Sequence, residues 1–184
     1  MALAHCLVWF VGISLPWHDL TLAGSQGQAS AVLIGFLQRV SRAEVGVAGE
    51  TVAAIGAGLL VLVGVERGDS EASAARLLER LLAYRVFGDD SGRMNHSLTD
   101  TAGGLLLVPQ FTLAATTRKG NRPGFDRAAP PALARQLFDF MLVRARECHR
   151  GEVQAGCFGA EMQVSLVNEG PVSFWLQVPS QADA

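Results

Sequence analysis

A chain of 184 residues, 49% hydrophobic and with a net charge of −2, can bury one well-formed core. That balance excludes an intrinsically disordered chain and provides no global basic field, so a nucleic-acid partner would need a local patch. Cys6, Cys148 and Cys157 are odd in number and far apart, which points away from a disulfide framework and toward a reducing, cytoplasmic setting.

The opening "MALAHCLVWFVGISLPW" is short for a membrane span, and the first Lys or Arg of the chain is Arg39, so a secretory n-region is missing. Residues 1–31 are therefore expected to be an extension outside the fold, its start assigned too far upstream. A single domain is expected over 32–178, with 179–184 as a tail. "VLIGFLQRV" from Val32 reads as a strand, and "AEVGVAGETVAAI" as short β-runs around a turn at Ala48-Gly49-Glu50. "LLVLVGV", Leu59 to Val65, is a continuous apolar run of the kind buried on both faces.

From Asp69 the period changes. Leu77, Leu78, Leu81 and Leu82 share one helical stripe, and Asp69 or Ser70 can cap its start. "YRVF" returns to extended chain and "GDDSG" is a turn, with Asp89 and Asp90 as turn formers and His96 as a loop histidine. "GGLLLVPQFTLAA" reads as a further strand. Pro109 gives it no ladder donor, which places it at an edge or a bulge. A second helix starts at Pro130-Pro131 and carries Leu133, Leu137 and Met141. "MQVSLVNEGPVSFWLQV" reads as two strands joined in an antiparallel turn at Asn168 to Pro171. These elements predict an α/β domain with a mixed sheet, two main helices, and glycines that allow the sheet to curl.

Strong enzymatic signatures are missing: there is no P-loop, no complete dinucleotide fingerprint and no nucleophile elbow. The cysteines and histidines lack the spacing of a metal site, and neither metal nor cofactor is expected. Phe111 and Thr112 read either as strand packing or, with Gln110, as backbone turned toward a ligand. Arg118, Lys119, Arg122 and Arg127 form either a solvated loop or a phosphate contact. Gly170-Pro171 alone reads as an ordinary turn, since cis X-Pro bonds are about one in twenty.

Taken together, "LQRVSRAEV", "GLLVLVGVERGD", "RVFGDDSGRMN", "GGLLLVPQFTLAATTRKGNRPGF", "AAPP" and "FGAEMQVSLVNEGPVSFWLQV" resemble the D-aminoacyl-tRNA deacylases, bacterial members above all, in order and over nearly the whole domain. The resemblance implies a barrel-like mixed sheet with two helices outside, and a homodimer that hydrolyses D-aminoacyl-tRNA, with glycyl-tRNA also accepted. It implies catalytic roles for Gln110, Phe111 and Thr112, with the ribose hydroxyl of the substrate assisting. It implies that a cis Gly170-Pro171, oriented by Arg39, excludes L side chains from the partner subunit's pocket. Pro109, Phe158, Gly159, Ala160 and Met162 are then substrate contacts, and Arg118, Lys119 and Arg122 tRNA phosphate contacts. Pro109 departs from the family's usual serine, which leaves open a deacylase of relaxed chirality. A non-catalytic RNA-binding relative is the remaining alternative.

Overall fold

The computed structural model describes residues 32–118 and 120–180. The expectation for residues 1–31 lies outside these, as does Lys119.

Strand β1 runs from Val32 to Val47 and is the spine of the sheet. Its first half pairs antiparallel with β3 (Gly58–Gly64), and its second half with β2 (Glu50–Ile55). The β1–β2 turn falls at Ala48-Gly49, as the sequence predicts, and uses left-handed backbone at both residues. β3 then pairs in parallel with β6 (Gly104–Pro109), which pairs in parallel with β7 (Val153–Ala155). The sheet curls until Ile55 of β2 sits over Gly104, where an added Cβ would come within 2.9 Å of the isoleucine Cβ. This is the expected barrel-like sheet.

Alternation along the central strands creates two cores. Leu59, Val61, Leu105 and Leu107 face helix α1 (Glu71–Ala83) and helix α3 (Pro131–Cys148), while Leu60, Leu106 and Val108 face the inside of the curl with Val40, Val45 and Ile55. Both faces of β3 and β6 are therefore buried, as the unbroken apolar run of β3 predicts. Ser70, of the two candidates, caps α1, in a reciprocal box with Ser73. β4 (Phe87–Gly88) and β5 (Met94–His96) make a small hairpin, and α2 (Leu98–Thr101) is a single turn. Asp89 holds that hairpin: its carboxylate accepts from the Ser91 hydroxyl, the Asn95 amide and the Arg93 N–H, which keeps it well below the usual carboxylate range.

Three expectations are corrected. The closing hairpin is not formed; Gln163–Pro179 is one long strand, β8, and both its halves pair antiparallel with β1. Asn168 to Pro171 instead begins a bulge: Gln38 pairs with Ser173 and Val40 with Asn168, so Glu169 to Val172 stand out of the ladder opposite Arg39. Turn-forming residues are shared by the two motifs, and only the common partner strand distinguishes them. Secondly, β6 as a whole is an inner strand rather than an edge strand, and Pro109 is not in a bulge. It ends β6, an inner strand, on the side where Leu105 donates to Glu152; β7 has already stopped at Ala155, so its missing N–H forfeits no ladder bond. Thirdly, the domain runs past 178, since Pro179 pairs with Val32 and Ser180 is buried.

Candidate active site

The strand expected to continue through Phe111 stops at Pro109. Gln110 donates its N–H to the Val63 carbonyl at 2.7 Å, and Phe111–Ala114 then forms a 3-10 turn. Phe111 is thereby 60% exposed, which rules out plain strand packing. The turn can lie this close because Gly64 has no side chain: a Cβ there would stand 2.7 Å from Leu113 Cβ and 3.2 Å from the Gln110 carbonyl. The first N–H groups of such a turn have no acceptor within it. Within the turn, the Gln110 amide donates to Thr112 Oγ1.

Beside the turn is a cavity of about 270 Å³. Val63 and Val65 from the end of β3 and its exit loop form one wall; Pro131, Ala134 and Phe138 of α3 form another. Pro109, Gln110 and Phe111 close one side, Phe158 and Gly159 the other. None of the lining residues is ionisable. Phe158 is held by Arg135, whose guanidinium lies 4.7 Å from the ring centroid and donates to the Phe158 carbonyl at 3.2 Å.

The segment Arg127 to Ala129, which lines the cavity at Ala128 and Ala129, is tied down around the buried Glu66. Glu66 accepts from Arg127 at 2.8 Å and from the Val32 N–H at 3.1 Å, while Ala129 donates to Val65. Arg127 is therefore a structural ion-pair partner, not one of a set of free loop cations. Asp69 accepts from the Glu66 N–H at 2.7 Å and is buried with its other oxygen unpartnered; desolvation raises its pKa to about 6.

The expected residues thus fall into three groups. Pro109, Gln110, Phe111, Phe158 and Gly159 meet at the cavity, with Thr112 adjoining through Gln110. Ala160 and Met162 do not line it: Met162 packs into the inner core, and Ala160 closes a turn on Cys157. Gly170, Pro171 and Arg39 form a separate cluster. Arg39 donates from Nε to the Glu169 carbonyl at 3.0 Å and from a terminal nitrogen to the Val86 carbonyl at 2.5 Å, and the Gly170-Pro171 bond is cis. Arg118 and Arg122 are exposed in the loop beyond the turn. Gly64, Glu66 and Arg135 were not singled out from sequence; only the glycine ending an apolar strand carried a signal, that of close backbone approach.

The family model for D-Tyr-tRNA(Tyr) deacylase matches residues 36–177. The chain belongs to that family. It is 65% identical over 147 residues to a D-aminoacyl-tRNA deacylase of Thioalkalivibrio sulfidiphilus, covering 80% of this chain and 98% of that protein. It is 63% identical over 143 residues to a D-aminoacyl-tRNA deacylase of Stutzerimonas stutzeri, covering 78% and 98%. Among solved structures, the c-Myc DNA unwinding element binding protein superposes with a TM-score of 0.76 at 38% identity, over 79% of this chain and 99% of that one. A probable eukaryotic D-amino acid tRNA deacylase superposes with a TM-score of 0.71 at 18% identity, over 80% and 100%, which speaks for the fold. Members of the deacylase family are ester hydrolases.

Proposed function

We propose that this chain hydrolyses the ester joining a D-amino acid to the terminal adenosine of tRNA, using backbone donors and the substrate's own ribose hydroxyl. The observation that carries this reading is a cavity without an ionisable side chain that opens at Gln110 and Phe111. An aminoacyl ester is already activated. What it requires is position, water and donors aimed at the developing oxyanion, which the N–H groups opening the Phe111–Ala114 turn can supply. Thr112 is a poor nucleophile here, because its hydroxyl partner is the Gln110 amide, which cannot take a proton.

Pro109, Phe158 and Gly159 wall the acyl group, while Arg118 and Arg122, with Lys119, take tRNA phosphates. The cluster of Arg39, Gly170 and Pro171 acts in a homodimer, reaching the partner's cavity rather than its own, where its carbonyls exclude L side chains. Its absence from the lining within one subunit supports that division. Glycyl esters, with no side chain to exclude, are also substrates, and the reaction takes place in the cytoplasm.

Hydrolysis of matched D-Tyr-tRNA, L-Tyr-tRNA and Gly-tRNA tests the reading. Cleavage of the D and glycyl esters with the L ester intact is expected. Cleavage of all three would show that Pro109 relaxes chirality, and cleavage of none would leave an RNA-binding relative. A D-Tyr-tRNA ending in 2′-deoxyadenosine should be inert; full turnover on it would overturn the role of the ribose.

A further inference from the structure

Two aromatic rings lie at the outer rim of the cavity. Phe111 lines it and is 60% exposed; Phe125 stands outside it, 40% exposed, with ring centroids 5.2 Å apart and planes tilted by 53°. Exposed aromatic area of this kind has a cost in water, and neither ring is needed for the cores. Their placement is fixed. Thr116 and Gly124 exchange paired backbone hydrogen bonds of 2.8 and 2.9 Å, which close a hairpin immediately before Phe125. Ala128 donates to the Phe125 carbonyl at 3.0 Å on the other side. Beyond the rings, that hairpin carries exposed Arg118 and Arg122. Phe111 lines the cavity, Phe125 packs on its ring, and the Thr116–Gly124 pair joins Phe125 directly to the loop that carries the cations.

That order matches a single-stranded nucleic-acid end. Bases stack on exposed rings while cations follow the phosphates, and the pairing needs no base-specific hydrogen bond. Resting on the reading that the cavity takes the aminoacylated 3′ end of tRNA at Gln110 and Phe111, we propose that Phe125, beside Phe111, stacks the next base of the tRNA 3′ strand. The ring then fixes the direction in which the strand leaves the cavity, and Arg118 and Arg122 meet the phosphates beyond it. Phe125 is a positioning residue for long substrates and plays no part at the ester.

The test compares the full chain with Phe125→Ala and Phe125→Trp on D-Tyr-tRNA, on the same tRNA with an abasic penultimate nucleotide, and on 3′-D-tyrosyl-adenosine. Phe125→Ala should raise KM for the tRNA ester about tenfold, and Phe125→Trp should restore it. Both should leave the nucleoside ester unchanged, and the abasic tRNA should bring the unmodified chain to the level of Phe125→Ala. Equal loss on tRNA and nucleoside esters, or no loss on either, overturns the proposal. So does a change in sedimentation with Phe125→Ala, which would make the rings a subunit contact. Anisotropy with uncharged intact and abasic tRNA reads the stacking without hydrolysis, so a chain that cleaves no ester would refute the proposed function while still deciding the role of Phe125.

Discussion

Arg39 and Glu169, 130 residues apart in sequence, are joined by a 3.0 Å hydrogen bond from the guanidinium Nε to the main-chain carbonyl. The same side chain reaches Val86, so one planar group spans the β8 bulge and the loop after α1. A lysine has a single ammonium and cannot reproduce both directions. Arg39→Lys should therefore lower kcat/KM for the D ester by about tenfold, with a stability loss of roughly 1–2 kcal/mol. Parallel kinetics and thermal melts check this; a large melting shift with kinetics preserved would make Arg39 purely structural.

Gly170 has φ of +123°, and an added Cβ would lie 2.8 Å from Val172 Cγ2 and 3.0 Å from the Arg39 guanidinium. Gly170→Ala should thus move the bulge and its arginine together. We expect D-ester turnover to fall by more than the roughly 1–3 kcal/mol destabilisation would explain at a temperature where the variant remains folded. Unchanged turnover would remove Gly170 from the selection apparatus.

Gly64 supports the turn from beneath. Gly64→Ala would push against Leu113 and the Gln110 carbonyl, displacing the donors at the start of the turn. Hydrolysis of both the nucleoside ester and the tRNA ester should drop by about a hundredfold, as for loss of an oxyanion donor. A fall confined to the tRNA ester would place the effect outside the cavity.

Asp69 gives a pH prediction with an unusual sign. Its folded pKa of about 6 lies above the ordinary 3.8, so the folded chain binds this proton more tightly than the unfolded chain does. The contribution of Asp69 to stability is accordingly greatest at low pH and is lost as pH rises from about 4 to about 6. Asp69→Asn keeps an acceptor for the Glu66 N–H and removes the charge. The difference in melting temperature between Asp69→Asn and the unmodified chain should grow in favour of the variant across that window, then level off. A flat difference would contradict the assigned burial cost.

Reversing Arg118 and Arg122 to glutamate should raise KM for D-Tyr-tRNA and make it less dependent on salt, since fewer counterions are then released on binding. The nucleoside ester should not notice. If KM for tRNA is also unmoved, the loop is simply solvated.

Much of this was legible in the residues. The apolar runs at Leu59–Val65 and Leu105–Val108 and the leucine stripe of α1 fix their elements because burial acts on a local period. Legibility failed where a segment's partner lies far along the chain. Asn-Glu-Gly-Pro has the chemistry of a turn, and only pairing of both flanks with β1 makes it a bulge. Arg127 looked like its neighbours in the basic loop until Glu66, 61 residues away, claimed it. Phe111 had the propensity of a strand residue, but the 3-10 turn packed over Gly64 overrode it. Ala160 and Met162 were placed by family resemblance near the pocket, and their short-range turn and inner-core packing keep them out of its lining.

The cavity is built from the same side chains that hold the sheet to its helices: Val63, Val65, Ala134 and Phe138 belong both to its lining and to the outer core. Reshaping it is therefore a change to the outer core as well. Phe138→Ala, for example, would enlarge the cavity at about 3–5 kcal/mol of stability. Substitutions that reshape the cavity are consequently penalised in stability, and the β8 bulge is tied to the same core through Val172.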